Sequence, residues 1–120
     1  MLFLYKKSLI RFDEIAESVL PAFKGGDKEF RANMFFDGKN RMFKGKLVPG
    51  ASIGVHTHDD SCETIFILSG KGSILEIEDG QETLKEVLPG DCLFCAKNQT
   101  HSLRNTSDVD LIFYASVIQL

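Results

Sequence analysis

The sequence predicts an all-β domain of the sandwich or barrel type. Short runs with strand character recur along most of the chain and are separated by turn residues. The dipeptide Pro-Gly occurs twice, at Pro49-Gly50 and Pro89-Gly90, and each copy precedes a stretch that carries histidine. With 120 residues, 43% of them hydrophobic, the chain has room for one core and one domain, residues 1–120.

Residues 1–10 read as a strand or extended arm. Phe12, Ile15, Ala16, Val19 and Leu20 recur at helical spacing, so a short helix is expected over 12–20, with Asp13 as its N-cap. Pro21 stops it, and Gly25-Gly26 opens a loop. Strands are expected at 29–36 and 41–48, joined by the turn Asp37-Gly38-Lys39-Asn40. In the second of them Phe43, Gly45 and Leu47 face inward while Lys44 and Lys46 face water. Proline fixing φ and glycine taking positive φ make each Pro-Gly a type II turn. The remaining strand candidates are 53–57, 63–68, 73–78, 83–88, 91–95, 100–104 and 109–118.

Composition narrows the function. The formal net charge of −3 gives no argument for a nucleic-acid or anionic-membrane partner. No apolar run approaches the ~20 residues that span a bilayer. The apolar opening is short and its lysines follow the apolar part, so it reads as an edge strand rather than a signal. Three cysteines, Cys62, Cys92 and Cys95, form no secreted-type framework, which points to the cytoplasm. Cys92-x-x-Cys95 has no second pair, and positions i and i+3 of a strand face opposite sides, which argues against zinc or redox use. Cys62 reads as a packing residue.

The stretch from Gly50 to Gly70 carries the chemistry. In an extended chain His56 and His58 aim both imidazoles the same way. Asp59-Asp60-Ser61 turns the chain, and Glu63 opens the next strand facing them. Two neutral nitrogens and a carboxylate oxygen converging on a point suit a divalent transition metal. A second stretch runs from Gly90 through the turn Ala96-Lys97-Asn98 to His101 and Asn105. All three histidines of the chain fall in these two stretches.

Gly50, His56, His58, Glu63 and Gly70 match in identity and spacing the first motif of the cupins: glycine, five residues, His-x-His, four residues, glutamate, six residues, glycine. The second motif is met at Gly90, His101 and Asn105, with Ala96 and Asn98 where its proline and glycine usually stand. Asn tolerates positive φ, so the turn is expected to survive. The chain thus resembles the cupins over residues 50–105. That resemblance implies an all-β, cupin-type double-stranded β-helix (jelly-roll barrel), here with a short N-terminal helical turn and a metal-binding core over about 41–118. It also implies that His56, His58, Glu63 and His101 bind one divalent transition metal ion per chain (Mn, Fe, Ni, Co or Zn). The general cast, with Ala51-Ser52-Ile53-Gly54 before the histidines and Ser102-Leu103-Arg104-Asn105 after His101, is most similar to small single-domain bacterial cupins described as oxalate-decarboxylase-like.

Four protein ligands leave about two positions open on a six-coordinate ion, which suits a small bidentate ligand such as a dicarboxylate, a 2-oxo acid or a vicinal diol. Such an ion acts as a Lewis acid or, if iron or manganese, carries an electron. Strand parity assigns Phe43, Leu75, Ile77, Leu111 and Phe113 to the apolar wall of the substrate pocket. With every histidine committed to the metal, no general acid or base can be assigned. Three readings stay open: an enzyme acting on a small oxygen-bearing metabolite as dioxygenase, decarboxylase or isomerase; a non-catalytic metal-dependent binding or sensing protein; and a barrel that keeps the ligands for stability. Because ligating histidines must be neutral, metal affinity is expected to fall below about pH 6.5. Phe66, Leu68, Ile112, Tyr114 and Ile118 form an outward apolar face, from which a homodimer is expected, a state that light scattering reads.

Overall fold

The computed structural model describes residues 8–120 and is built almost wholly of antiparallel strands. They are β1 (Glu17–Pro21), β2 (Glu29–Phe36), β3 (Asn40–Leu47), β4 (His56–Thr57), β5 (Ser61–Ser69), β6 (Gly72–Glu78), β7 (Gln81–Val87), β8 (Cys92–Cys95), β9 (Thr100–Asn105) and β10 (Leu111–Gln119). One sheet has the order β1-β2-β3-β10-β5-β8 and the other β4-β9-β6-β7. The core lies between them, as expected for a two-layer jelly roll.

Alternation fixes which side chains enter that core. On β3, Phe43, Gly45 and Leu47 are buried while Lys44 and Lys46 are half-buried on the other face. On β5, Ser61, Glu63, Ile65 and Ile67 point in, and Phe66 and Leu68 are exposed. Phe30, Phe43 and Phe113 form the aromatic centre: Phe30 stacks on Phe113 at 6.1 Å, and Phe43 meets both edge-on at 5.7 and 6.4 Å. Among the described residues no helix is long and apolar enough to cross a membrane.

The N-terminal segment differs from the sequence reading. Only Phe12–Glu14 is helical, as a single 3₁₀ turn, and Asp13 lies inside it rather than capping it. Residues 17–21 are instead the edge strand β1, paired to β2 with Leu20 opposite Phe30. Sheet pairing satisfies the backbone that a two-turn helix would have left half unbonded at its ends, so tertiary context overrides the local spacing. Of the arm expected at 1–10, the first seven residues lie outside the described ones, and 8–10 form no regular element.

The turns follow their residue chemistry. Gly50 and Gly90 take φ of 81° and 94°, and the bonds Ala51 N to Val48 O and Asp91 N to Leu88 O close the two Pro-Gly turns. Asp79-Gly80, both at positive φ, joins β6 to β7 as a two-residue hairpin loop. Asn105 is 1% exposed and spends its whole side chain on backbone and turn. Its amide donates to Leu47 O (2.8 Å) and Val109 O (2.7 Å), and its Oδ1 accepts from Ser107 N (2.9 Å) and Oγ (3.0 Å).

Asn105→Ala strands buried groups on both sides of that network and is expected to lower stability by about 2–4 kcal/mol. Urea denaturation read by circular dichroism checks this; an unchanged midpoint would show that the turn holds without its side chain.

Candidate metal centre

The site is assembled where β4, β5 and β9 meet. His56 stands opposite His101 in the β4–β9 pairing, and Glu63 enters from β5 in the facing sheet. His58 follows β4, held by backbone bonds from its N–H to Gln99 O and from Asn98 N–H to its own carbonyl. Asn98 takes φ of 72°, so asparagine does occupy the left-handed position where the family motif has glycine.

The expected strand over 53–57 is interrupted, and the interruption is part of the site. Ile53 N–H bonds Leu103 O, whereas His56 pairs with His101. Three residues on one strand thus span two on its partner, a β-bulge at Gly54-Val55. The extra residue turns the Gly54 carbonyl toward His56, whose Nδ1 donates to it at 2.6 Å. A carbonyl can only accept, so this bond fixes the tautomer and leaves the His56 Nε2 lone pair facing the other ligands. Only glycine fits at 54, because a Cβ there would collide with the Lys24 carbonyl oxygen of the turn packed over it. Gly54 N–H bonds Phe23 O, which seats that turn.

His58 is oriented similarly. Its Nδ1 lies 2.9 Å from the hydroxyl of Ser61, which is buried at the start of β5. Gly54, Ser61 and Asn98 therefore hold the ligands in place. In the sequence Ser61 reads as a turn residue and Gly54 only as part of the family likeness, since neither the bulge nor the hydroxyl contact has a signature in residue spacing.

The four donors converge as the sequence reading expected. His58 Nε2, His101 Nε2 and Glu63 Oε1 form a triangle with sides of 3.1, 3.2 and 3.0 Å, and His56 Nε2 lies 3.1 Å from His101 Nε2. All four ligand atoms fall within 4.8 Å of one another. Donors bonded to one ion at about 2.1 Å and at right angles stand about 3.0 Å apart, so the triangle is one face of such a cage. Three imidazoles and a carboxylate are also a donor set that first-row divalent metals accept. The residues fit a metal ion.

Burial tunes two of these groups. It lowers His56 below the ordinary histidine value, an effect the Gly54 bond only partly offsets. For Glu63 burial pushes upward, but hydrogen bonds from His101 and His58 and their charge outweigh it and hold the carboxyl at about 2. Cys95, paired opposite Glu63, is pushed up to about 11 by burial and by the Glu63 and Glu76 charges, so it stays a thiol; Cys92 is exposed on the other face. Asp59 and Asp60 sit exposed in the turn.

His56, His58 and Glu63 open into a cavity of about 260 Å³, lined also by Phe43, Ile53, Val117, Met34 and Arg41. His101 lines a second cavity of about 360 Å³ on the side of β6, β7 and β8. Of the five expected wall residues, only Phe43 lines the smaller cavity. Phe113 backs it from the core, and Leu111 is buried opposite Leu47, farther along the β3–β10 pair. Leu75 lines neither cavity, and Ile77, on the same side of β6, lines the larger one beside His101. Ile74 and Glu76 share the inward face, opposite Leu103 and His101, while Leu75 pairs with Ser102 and with exposed Leu84.

A profile of the family described as cupin domain matches residues 43–117. An oxalate-binding protein of Thermotoga maritima is 30% identical over 118 residues, covering 93% of this chain and 94% of that protein. The crystal structure of a predicted oxalate decarboxylase from the same organism superimposes with a TM-score of 0.82 at 30% identity, over 93% of this chain and 99% of that one. A conserved protein with a double-stranded β-helix domain from Klebsiella pneumoniae shares the fold at a TM-score of 0.70 and 17% identity.

About one divalent ion per chain is expected by elemental analysis, and none in the triple variant His56→Ala, His58→Ala, His101→Ala. Neutral imidazoles are required, so dialysis should release the ion as histidine protonates below about pH 6.5, the ordinary value, below which burial places His56. Glu63, ionised well below that range, does not set the midpoint; retention unchanged at about pH 4 would count against histidine ligation. Gly54→Ala should weaken metal affinity by about tenfold or more while leaving all four ligands in the sequence. Unaltered affinity in a metal titration would remove Gly54 from the site.

Proposed function

The chain belongs to the cupin domain family, and from that premise we propose that it holds one divalent metal ion on His56, His58, Glu63 and His101 and uses it to bind a small dicarboxylate of the oxalate class. The observation that carries this reading is the cluster of four ligand atoms, three of whose residues face one cavity of about 260 Å³. That volume suits a ligand of a few carbon atoms. The name of the Thermotoga relative, an oxalate-binding protein, supports the choice of acid.

When bound, the ion supplies a Lewis-acid centre for carboxylate oxygens. The protein's own residues do the rest. Gly54 and Ser61 aim the imidazoles, while Glu63 contributes the one anionic ligand of the set. Phe43, Ile53 and Val117 exclude water from the bound acid.

Binding without turnover is the reading favoured here, because all three histidines are committed to the metal cluster and Cys95 is held as a thiol. A second reading, a decarboxylase or dioxygenase, is supported by the likeness to a predicted oxalate decarboxylase. Calorimetric titration of the Mn(II)-loaded protein with oxalate is expected to give one site per chain, abolished by chelation of the metal. Binding that survives chelation, or no binding at all, would overturn the proposal; oxygen uptake or carbon dioxide release from oxalate would replace it with the enzymatic reading.

A further inference from the structure

Arg41 stands apart from the other arginines of the chain. Arg11, Arg31 and Arg104 each pair with a carboxylate: Glu14, Glu17 with Glu29, and Asp27. Among the described residues Arg41 has no acidic partner. Its guanidinium lies over the Phe36 ring at 4.2 Å and its Nη1 contacts Met34 Sδ at 2.9 Å, contacts that orient the group and leave its charge unneutralised.

Strand register places this charge relative to the metal cluster. Val117 of β10 is opposite Arg41 of β3 on one side and opposite Glu63 of β5 on the other. The three residues form one row across the sheet, so the Arg41 and Glu63 backbones are two strand spacings apart, roughly 10 Å. Arg41 shares the inward face of β3 with Phe43, and Arg41, Val117 and Glu63 all line the 260 Å³ cavity.

We propose that Arg41 receives the carboxylate oxygens of the bound acid that point away from the metal, and so selects dianionic ligands over analogues with a neutral end. The assignment rests on the carboxylate reading above. A planar guanidinium offers paired N–H donors that match a carboxylate. The remaining inner walls are mostly apolar, so few other groups can compete for those oxygens. Lys24 adds a second positive charge at the exposed rim, where Asp59 and Asp60 oppose it through solvent. The cavity behind His101 carries Glu76, Glu78, Glu86 and Asp91 against Lys85 and disfavours an anion.

The test compares oxalate with oxamate, which replaces one carboxylate by a neutral amide, by calorimetry on Mn(II)-loaded wild type, Arg41→Gln and Arg41→Lys. Metal content and thermal midpoint are measured on the same samples. Wild type is expected to prefer oxalate, and Arg41→Gln to lose about tenfold or more in oxalate affinity with metal content unchanged. The preference for oxalate over oxamate should collapse in Arg41→Gln and be partly kept in Arg41→Lys, a ratio that a purely structural role would not move. If Arg41→Gln does not fold, the Arg41→Lys ratio decides. Oxalate affinity and preference unchanged in the folded variants would overturn the assignment while leaving the carboxylate reading intact. Failure of wild type to bind either acid would overturn both.

Discussion

Four ligand atoms held within 4.8 Å of one another, on side chains that are mostly buried, set the constraint on which the rest of the chain depends. Groups of this kind repel or compete for protons unless a cation sits among them, and a loose scaffold would let them drift apart. The scaffold is therefore stiff at each donor. The His56 ring is fixed by a backbone carbonyl, the His58 ring by a buried hydroxyl, and Glu63 by a central strand paired on both sides. The two sheets contribute different ligands, so the core that joins them also sets the size of the cage.

The aromatic centre has a second effect. Phe30, Phe43 and Phe113 fill the middle of the barrel, and Phe43 carries the apolar surface out to the metal cavity. Arg41 comes next on the same face of β3, at the solvent end of this gradient. Polarity thus changes along a single strand from closed core to ligand-sized space to a guanidinium, which is how one barrel can combine stability with a polar site.

Much of this was legible in the sequence, and the gaps have physical causes. The spacing of His56, His58 and Glu63 survives in the fold because strand alternation converts it directly into direction. Asn98 was readable for the same reason, since few residues tolerate its backbone conformation. The face of β6 was not readable. Ile74-Leu75-Glu76-Ile77-Glu78 shows a clean alternation that puts Leu75 and Ile77 on one side, yet Glu76 faces His101 and the leucine pairs with another leucine outside. At the N-terminus, helical spacing over nine residues lost to pairing with β2, which a local pattern does not contain. The bulge at Gly54-Val55 depends on a count across two distant segments and leaves no mark in either one alone.

Asn105 and that bulge have a joint consequence. Asn105 N–H bonds Ala51 O and its carbonyl accepts from Gly50 N–H, so the two ligand-bearing segments are pinned together at one end and meet again at His56 and His101. Between those points they act as rulers with fixed numbers of divisions. One residue gained or lost in either would swing a ligand to the opposite face of the strand. The β6–β7 hairpin at Asp79-Gly80 is exposed and lies outside the interval between these pins, so it can grow or shrink freely. Length variation in chains of this type is thus channelled toward the hairpin tips and barred from the interval between the pins.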